Sequence, residues 1–217
     1  MKLFVTGANG LVGRLVVHEA AAQGHQVTAL VRPSAKVQFP ASVHVATRLI
    51  GREGALEKMA DCEAVLSCLG LKRTNPRNPW SKLVSEPDFA STSAAAIIDA
   101  MQSYGLKRVI AISAAGVAES APQMNLVMKL LVATSNIGVA YRDLARMEQA
   151  YGHSGLDWLC VRPTRLTDGP KTGRVKIVQA FGAGASIARA DVAAWMVEQV
   201  TSKLPFMNRL PQITTTE

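Results

Sequence analysis

The sequence predicts an α/β fold built on a doubly wound parallel sheet, on three observations. Short apolar runs alternate with helix-period segments along nearly the whole chain, the pattern that lays parallel strands under helices on both faces. A glycine-rich turn, Gly7-Ala8-Asn9-Gly10-Leu11-Val12-Gly13, joins the first apolar run directly to the first helical segment. No internal repeat, low-complexity tract or linker divides the 217 residues, so one domain is expected over 1–217. Within it, 116–136 and 162–190 are expected to be substrate-side segments, the latter as a small C-terminal extension.

Taken in order, Leu3-Phe4-Val5-Thr6 is a strand, 11–23 a helix ended by Gly24, and 26–31 the second strand. Residues 43–46 read as a weak third strand, 54–60 as a short helix and 64–70 as the fourth strand. A polar loop with two prolines covers 72–80. Ser85-Glu86-Pro87-Asp88 looks like a capped helix start, with Ser as N-cap, Pro in the first turn and an acid three residues after the cap. That helix runs to about Tyr104 and stops at Gly105. The fifth strand is 108–113, followed by helical segments over 123–132 and 140–151. The first of these carries Met124, Leu126, Val127, Met128, Leu130 and Leu131, and reads either as core or pocket wall or as a lid or partner surface. The sixth strand is 156–161, broken by Pro163. A short strand over 176–178, a last helix over 191–200 and a polar tail complete the chain.

A strand that turns on glycines into a helix aims unpaired backbone N–H groups and the positive end of the helix dipole at one point, which suits a pyrophosphate. The spacing here is G-x-x-G-x-x-G. At the tip of the second strand, where dinucleotide folds meet the adenosine ribose, an acid bonds the 2′-hydroxyl and an arginine accepts a 2′-phosphate. Arg32 stands there, no acid occurs over 26–40, and Lys36 follows four residues on. NADP(H) is therefore favoured over NAD(H); the alternative is that both cations are solvated loop charges.

Net charge is +8, but the basic residues are scattered singly or in pairs, and nucleic acid is not expected as a partner. No apolar stretch approaches the roughly 20 residues of a membrane span, and no membrane association or signal peptide is expected. Cys62, Cys68 and Cys160 lack ligand or C-x-x-C spacing, and Cys68 and Cys160 read as buried thiols, which suggests a reducing, cytoplasmic setting. His18, His25, His44 and His153 offer no convincing acid, and metal binding has no support.

These residues resemble the small NAD(P)H-binding branch of the atypical short-chain dehydrogenase/reductase superfamily, with its Rossmann-like fold. That branch includes flavin reductase/biliverdin reductase B and the NmrA-like redox-sensing regulators. The matching pieces are 5–13, Val31-Arg32-Pro33-Ser34, Leu69-Gly70, Ile112-Ser113-Ala114, 154–170 and Arg189-Ala190-Asp191-Val192-Ala193, in family order. The resemblance implies that Gly7, Asn9, Gly10, Leu11 and Val12 hold the pyrophosphate and that Arg32 and Lys36 hold the 2′-phosphate. It also implies that Cys68, Leu69 and Gly70 lie under the ribose. Ser113 and Ala114 would border the nicotinamide, and the backbone of Pro163 and Thr164 would meet its carboxamide. Arg165 either reaches substrate or is a salt-bridged loop residue. Ser113 either polarises the acceptor, orients the carboxamide or caps the strand end.

Two departures from the pattern matter. The Gly-Asp that similar proteins carry after strand three is replaced by Ala46-Thr47-Arg48-Leu49, leaving Leu49 to pack on adenine. The Tyr-x-x-x-Lys pair of classical dehydrogenases is also missing, since Tyr141 is followed by Ala145, Tyr151 by Gly155 and Tyr104 by Arg108 beyond the helix end. The leading expectation is an NADPH-dependent reductase passing hydride to a small electron-poor acceptor, flavin- or quinone-like. The alternative is a non-catalytic NADP(H) sensor, or an assembly or regulatory protein.

Overall fold

Strand residues alternate between two buried faces, as a parallel sheet covered on both sides requires. In β1 (Lys2–Thr6), Leu3 and Val5 enter one core layer and Phe4 the other, and all three are fully buried. The computed structural model describes residues 1–202, 205–206 and 209–215. Further strands are β2 (Gln26–Val31), β3 (Val43–Thr47), β4 (Ala64–Ser67), β5 (Arg108–Ile112) and β6 (Asp157–Pro163). Four more follow: β7 (Arg165–Thr167), β8 (Val175–Val178), β9 (Ser186–Ala188) and β10 (Gln212–Thr215). Among the described residues the main sheet runs β3-β2-β1-β4-β5-β6-β10-β8, and β7 pairs with β9 in a separate ribbon. Its first six strands are parallel in the 3-2-1-4-5-6 order of a Rossmann fold, with the change of direction between β1 and β4.

One face is covered by α1 (Leu11–Ala22) and α5 (Arg189–Thr201), which pack Val16, Val17 and Ala20 against Val192, Met196 and Val200. The other is covered by α2 (Phe89–Ser103) and α4 (Asn136–His153), through Ile97, Met101, Met147 and Tyr151. Between β5 and α4 stand a 3-10 turn (Ala118–Gln123) and α3 (Leu126–Thr134), a helix with no buried residue.

Several elements depart from the sequence reading. The helix expected to start at Ser85 starts at Phe89, because its cap comes from elsewhere. Buried Asp143 of α4 accepts from Ala90 N (2.7 Å), Ser91 N (3.1 Å) and Ser91 Oγ (2.6 Å), while Ser85 Oγ accepts from Lys72 N. Pro163 does not break β6. The ladder to β10 uses the N–H groups of Arg162 and Thr164, given to Pro211 O and Ile213 O, so none is needed from proline. The tail is polar yet contains β10, whose Ile213 is fully buried and whose polar residues are individually bonded. Gln212 Nε2 donates to Gln123 Oε1 (2.9 Å), and Thr215 Oγ1 to Ser186 O (2.8 Å). The β8–β10 pair is antiparallel, and the helix expected over 54–60 is a 3-10 turn at Glu57–Asp61.

Candidate nucleotide site

The glycine turn leaves β1 at Gly7, whose φ of +67° and contacts both require the absence of a side chain. A Cβ there would lie 2.4 Å from Cys68 O, across the point where β1 and β4 part. A Cβ on Gly13 would lie 2.2 Å from Gly7 O, so the second glycine lets the helix close down on the turn. Gly10 N donates to Gly7 O (2.8 Å), and Gly10 caps α1 without a side chain. The first-turn N–H groups of α1 thus open onto the crevice at the carboxyl ends of the strands, with Asn9 half-buried, Leu11 exposed and Val12 buried beside them. This backbone cradle fits a pyrophosphate.

The other sequence-selected residues fall along the same edge of the sheet. Cys68, Leu69 and Gly70 leave β4 opposite Gly7; desolvation pushes the Cys68 thiol up to about 12, so it stands neutral in the cleft. Arg32 directly follows β2, exposed, and a turn closed by Ala35 N on Arg32 O folds the chain back so that Lys36 follows it, also exposed. Leu49 is 43% exposed, directly after Arg48, whose N–H donates to Val31 O at the end of β2. Ser113, Ala114, Pro163 and Thr164 end β5 and β6 side by side, with Ser113 N on Val161 O (2.7 Å) and Ala115 N on Pro163 O (3.0 Å). The Thr164 N–H is spent on β10 and its hydroxyl meets Thr214, so what remains for a ligand there is carbonyl oxygen. Arg165 is exposed on β7.

Below Ser113 lies a charged network absent from the sequence reading. Ser113 Oγ donates to Glu148 Oε1 (2.6 Å), and Arg162 donates to Glu148 through Nε (2.9 Å) and Nη2 (2.7 Å). Arg162 also forks onto Glu119, Nη1 meeting Oε1 and Nη2 meeting Oε2. Arg162 and Glu148 are 2% and 5% exposed, whereas Glu119 is 65% exposed. The Arg162 hydrogen bond holds the Glu119 carboxyl below its ordinary range, and the two carboxylates outweigh desolvation to hold the guanidinium charged. Ala118, just before Glu119, has φ of +48°, a region rarely used by a residue with a side chain, so the turn presenting Glu119 is a strained one. The signal in the sequence was Glu148 itself, a charge on the buried stripe Leu144, Met147, Glu148, Tyr151 of α4.

The three tyrosines stand in three different settings. Tyr141 Oη donates to Ala115 O (3.1 Å) and burial pushes the phenol up. Tyr151 is fully buried in the core, where desolvation drives it up further, and Tyr104 follows α2 at the amino-terminal end of β5. Among the described residues no cluster of His, Cys, Asp or Glu could hold a metal ion, and no helix is long and apolar enough to cross a membrane.

Comparison with known proteins gives the family and the fold. A family model described as NAD(P)H-binding matches residues 7–203, and the chain belongs to that family. A 3-diazoavenalumate denitrifying reductase from a Streptomyces species is 28% identical over 179 residues, 80% of this chain and 58% of its own. The chain therefore spans little more than half the length of that curated relative. The solved anaerobilin reductase ChuY of Escherichia coli O157:H7 is 21% identical, superimposes with a TM-score of 0.76 and is covered over 98% of its length by all of this chain. A short-chain dehydrogenase/reductase from Veillonella parvula in complex with NADP gives 0.74 at 16% identity, with 98% of this chain and 93% of that one covered. At such identities the two solved structures establish the fold alone, a Rossmann-like one.

Proposed function

We propose that this protein is an NADPH-dependent reductase that delivers hydride to a small, flat, electron-poor acceptor without a tyrosine proton relay. The observation that carries this reading is the state of Tyr141. Its hydroxyl is given to Ala115 O and the position four residues later is Ala145, so no lysine on that helix turn lowers its pKa. When bound, NADPH supplies two electrons and a hydrogen nucleus to the acceptor, which takes its balancing proton from water.

The protein's own residues hold the partners in contact. Gly7, Asn9, Gly10, Leu11 and Val12 cradle the diphosphate, Arg32 with Lys36 grips the 2′-phosphate, and Leu49 packs on adenine. Cys68, Leu69 and Gly70 floor the ribose, and Ser113, Ala114 and the Pro163-Thr164 carbonyls border the nicotinamide. Because a carboxylate clamped by a guanidinium can only accept, the Ser113 proton is committed to Glu148. Ser113 then offers lone pairs, so its role is to orient the carboxamide N–H rather than to polarise an acceptor carbonyl. Residues 116–136 and 162–190, with Arg165, line the acceptor side. Two relatives named as reductases support the reaction class.

The test is NADPH oxidation by purified protein against a panel of flavins, quinones and dyes. Turnover well above the protein-free control is expected. Tight NADPH binding without turnover on any acceptor would leave a sensor instead.

A further inference from the structure

Within the acceptor-side segment, α3 turns outward a surface that the dinucleotide site does not use. α3 has no buried residue, and its outward stripe is apolar: Leu126 is 82% exposed, Val127 68% and Leu130 62%. Trp80 stands at its carboxyl end, with Nε1 donating to Thr134 O (3.0 Å) and its ring 58% exposed. The loop bearing Trp80 is fastened there by Asn136, whose N–H donates to Pro79 O and whose side-chain amide donates to Ser81 O. Both segments lack acids. None occurs between Glu63 and Glu86 or between Glu119 and Asp143, while Lys72, Arg77, Lys82 and Lys129 are exposed in the same stretches.

We infer that this apolar stripe, with the cations of the two segments that meet there, is a docking surface for an anionic lipid bilayer. The chemistry selects among possible occupants. A second copy docking by a two-fold axis would bring one set of these cations up to another, which is repulsive. A nucleic acid would find leucine tips where its phosphates need cations. A bilayer with anionic headgroups satisfies both parts: the stripe enters the acyl boundary while the cations meet the headgroups. Trp80 suits the boundary between them, because its one N–H is already bonded and its ring is free. The sequence reading expected no membrane association, and this proposal departs from it; among the described residues no helix is long and apolar enough to cross a membrane, so the contact inferred is with a helix lying in the interface. The surface adjoins the acceptor side, since Met124, just before α3, lies against Gly116 with Tyr141.

The proposal is tested without cofactor or turnover, so its fate is separate from that of the reductase reading. The full chain is floated with vesicles of phosphatidylcholine alone or mixed equally with phosphatidylglycerol. Flotation is expected only with the anionic vesicles, with a blue shift of tryptophan emission that Trp80→Phe removes. Raising salt to about 1 M, where screening acts within about 3 Å, should release the protein. Leu126→Gln/Leu130→Gln and Lys82→Glu/Lys129→Glu should each weaken partition about tenfold or more while keeping wild-type melting and NADPH binding. Absence of flotation, equal flotation with neutral vesicles, or variants that float like wild type would each overturn it. So would a dimer in sedimentation velocity that the leucine variant dissolves, since the face would then belong to a second copy.

Discussion

On the proposed reading cofactor choice rests on Arg32, and Arg32→Ala should weaken NADPH much more than NADH, by about tenfold or more for one charge-assisted phosphate contact. Titration calorimetry with both dinucleotides checks this, and equal loss for the two would remove the assignment. The Ser113 network makes a second residue-scale prediction. Glu148→Ala leaves a buried guanidinium short of a partner and should cost about 3 kcal/mol of stability. Glu119→Ala, at an exposed partner, should cost about 1 kcal/mol or less. Denaturant melts of the two variants should therefore differ clearly, and similar midpoints would mean that Arg162 is not held mainly by Glu148. Glycines and a strand-tip arginine were legible in the sequence because their chemistry is local: a turn, a helix end, a tip. The network was not, because Ser113, Glu119, Glu148 and Arg162 come from four elements, and only the misplaced charge on the α4 stripe hinted at it.

Elements were legible wherever apolar periodicity alone made them, as in β1, β2, β4, β5, α1 and α5. They were not where a distant side chain sets the boundary. α2 begins at Phe89 because Asp143, more than fifty residues on, supplies its cap, while the nearer Ser85 is turned to Lys72. Asp143→Ala should therefore fray the first turn of α2 and cost about 1–3 kcal/mol, since it strands buried donors as well as removing a cap. Amide exchange should rise first at Ala90 and Ser91, and unchanged protection there would refute the capping role. β10 escaped notice for a related reason: a strand with one apolar residue is recognised by its hydrogen bonds, which a sequence does not display.

For the whole molecule, perturbed groups on both sides of neutrality shape the stability profile. The Lys171 hydrogen bond lowers Glu19, the Arg162 hydrogen bond lowers Glu119, and desolvation lowers His25 from an ordinary 6.5. Groups depressed in the folded state leave the unfolded chain binding more protons in acid, so their contributions are present above the unfolded values and lost as pH falls. On the alkaline side desolvation raises Cys68 from 9.0 to about 12 and raises Cys160 and Tyr151 as well, so stability is lost as the unfolded chain ionises first. The melting temperature should be flat between about pH 6.5 and 9 and fall on either side. A melting temperature that climbs below pH 6 would contradict these assignments.

The interior seat of β10 has a consequence for how the molecule is assembled during synthesis. A nascent chain that has made β6 and β8 cannot join them; each keeps an open edge until residues 212–215 arrive and slot between. The high contact order of that step makes it the late event of folding, after the six-stranded body has condensed. Because Thr164, which borders the nicotinamide in the proposed function, gives its N–H to Ile213 O and meets Thr214 through its hydroxyl, dinucleotide affinity should mature last too. Pulse-labelled exchange during refolding should find the amides of 212–215 protected after those of β1 and β4; the reverse order would mean that the carboxyl-terminal strand helps nucleate the sheet.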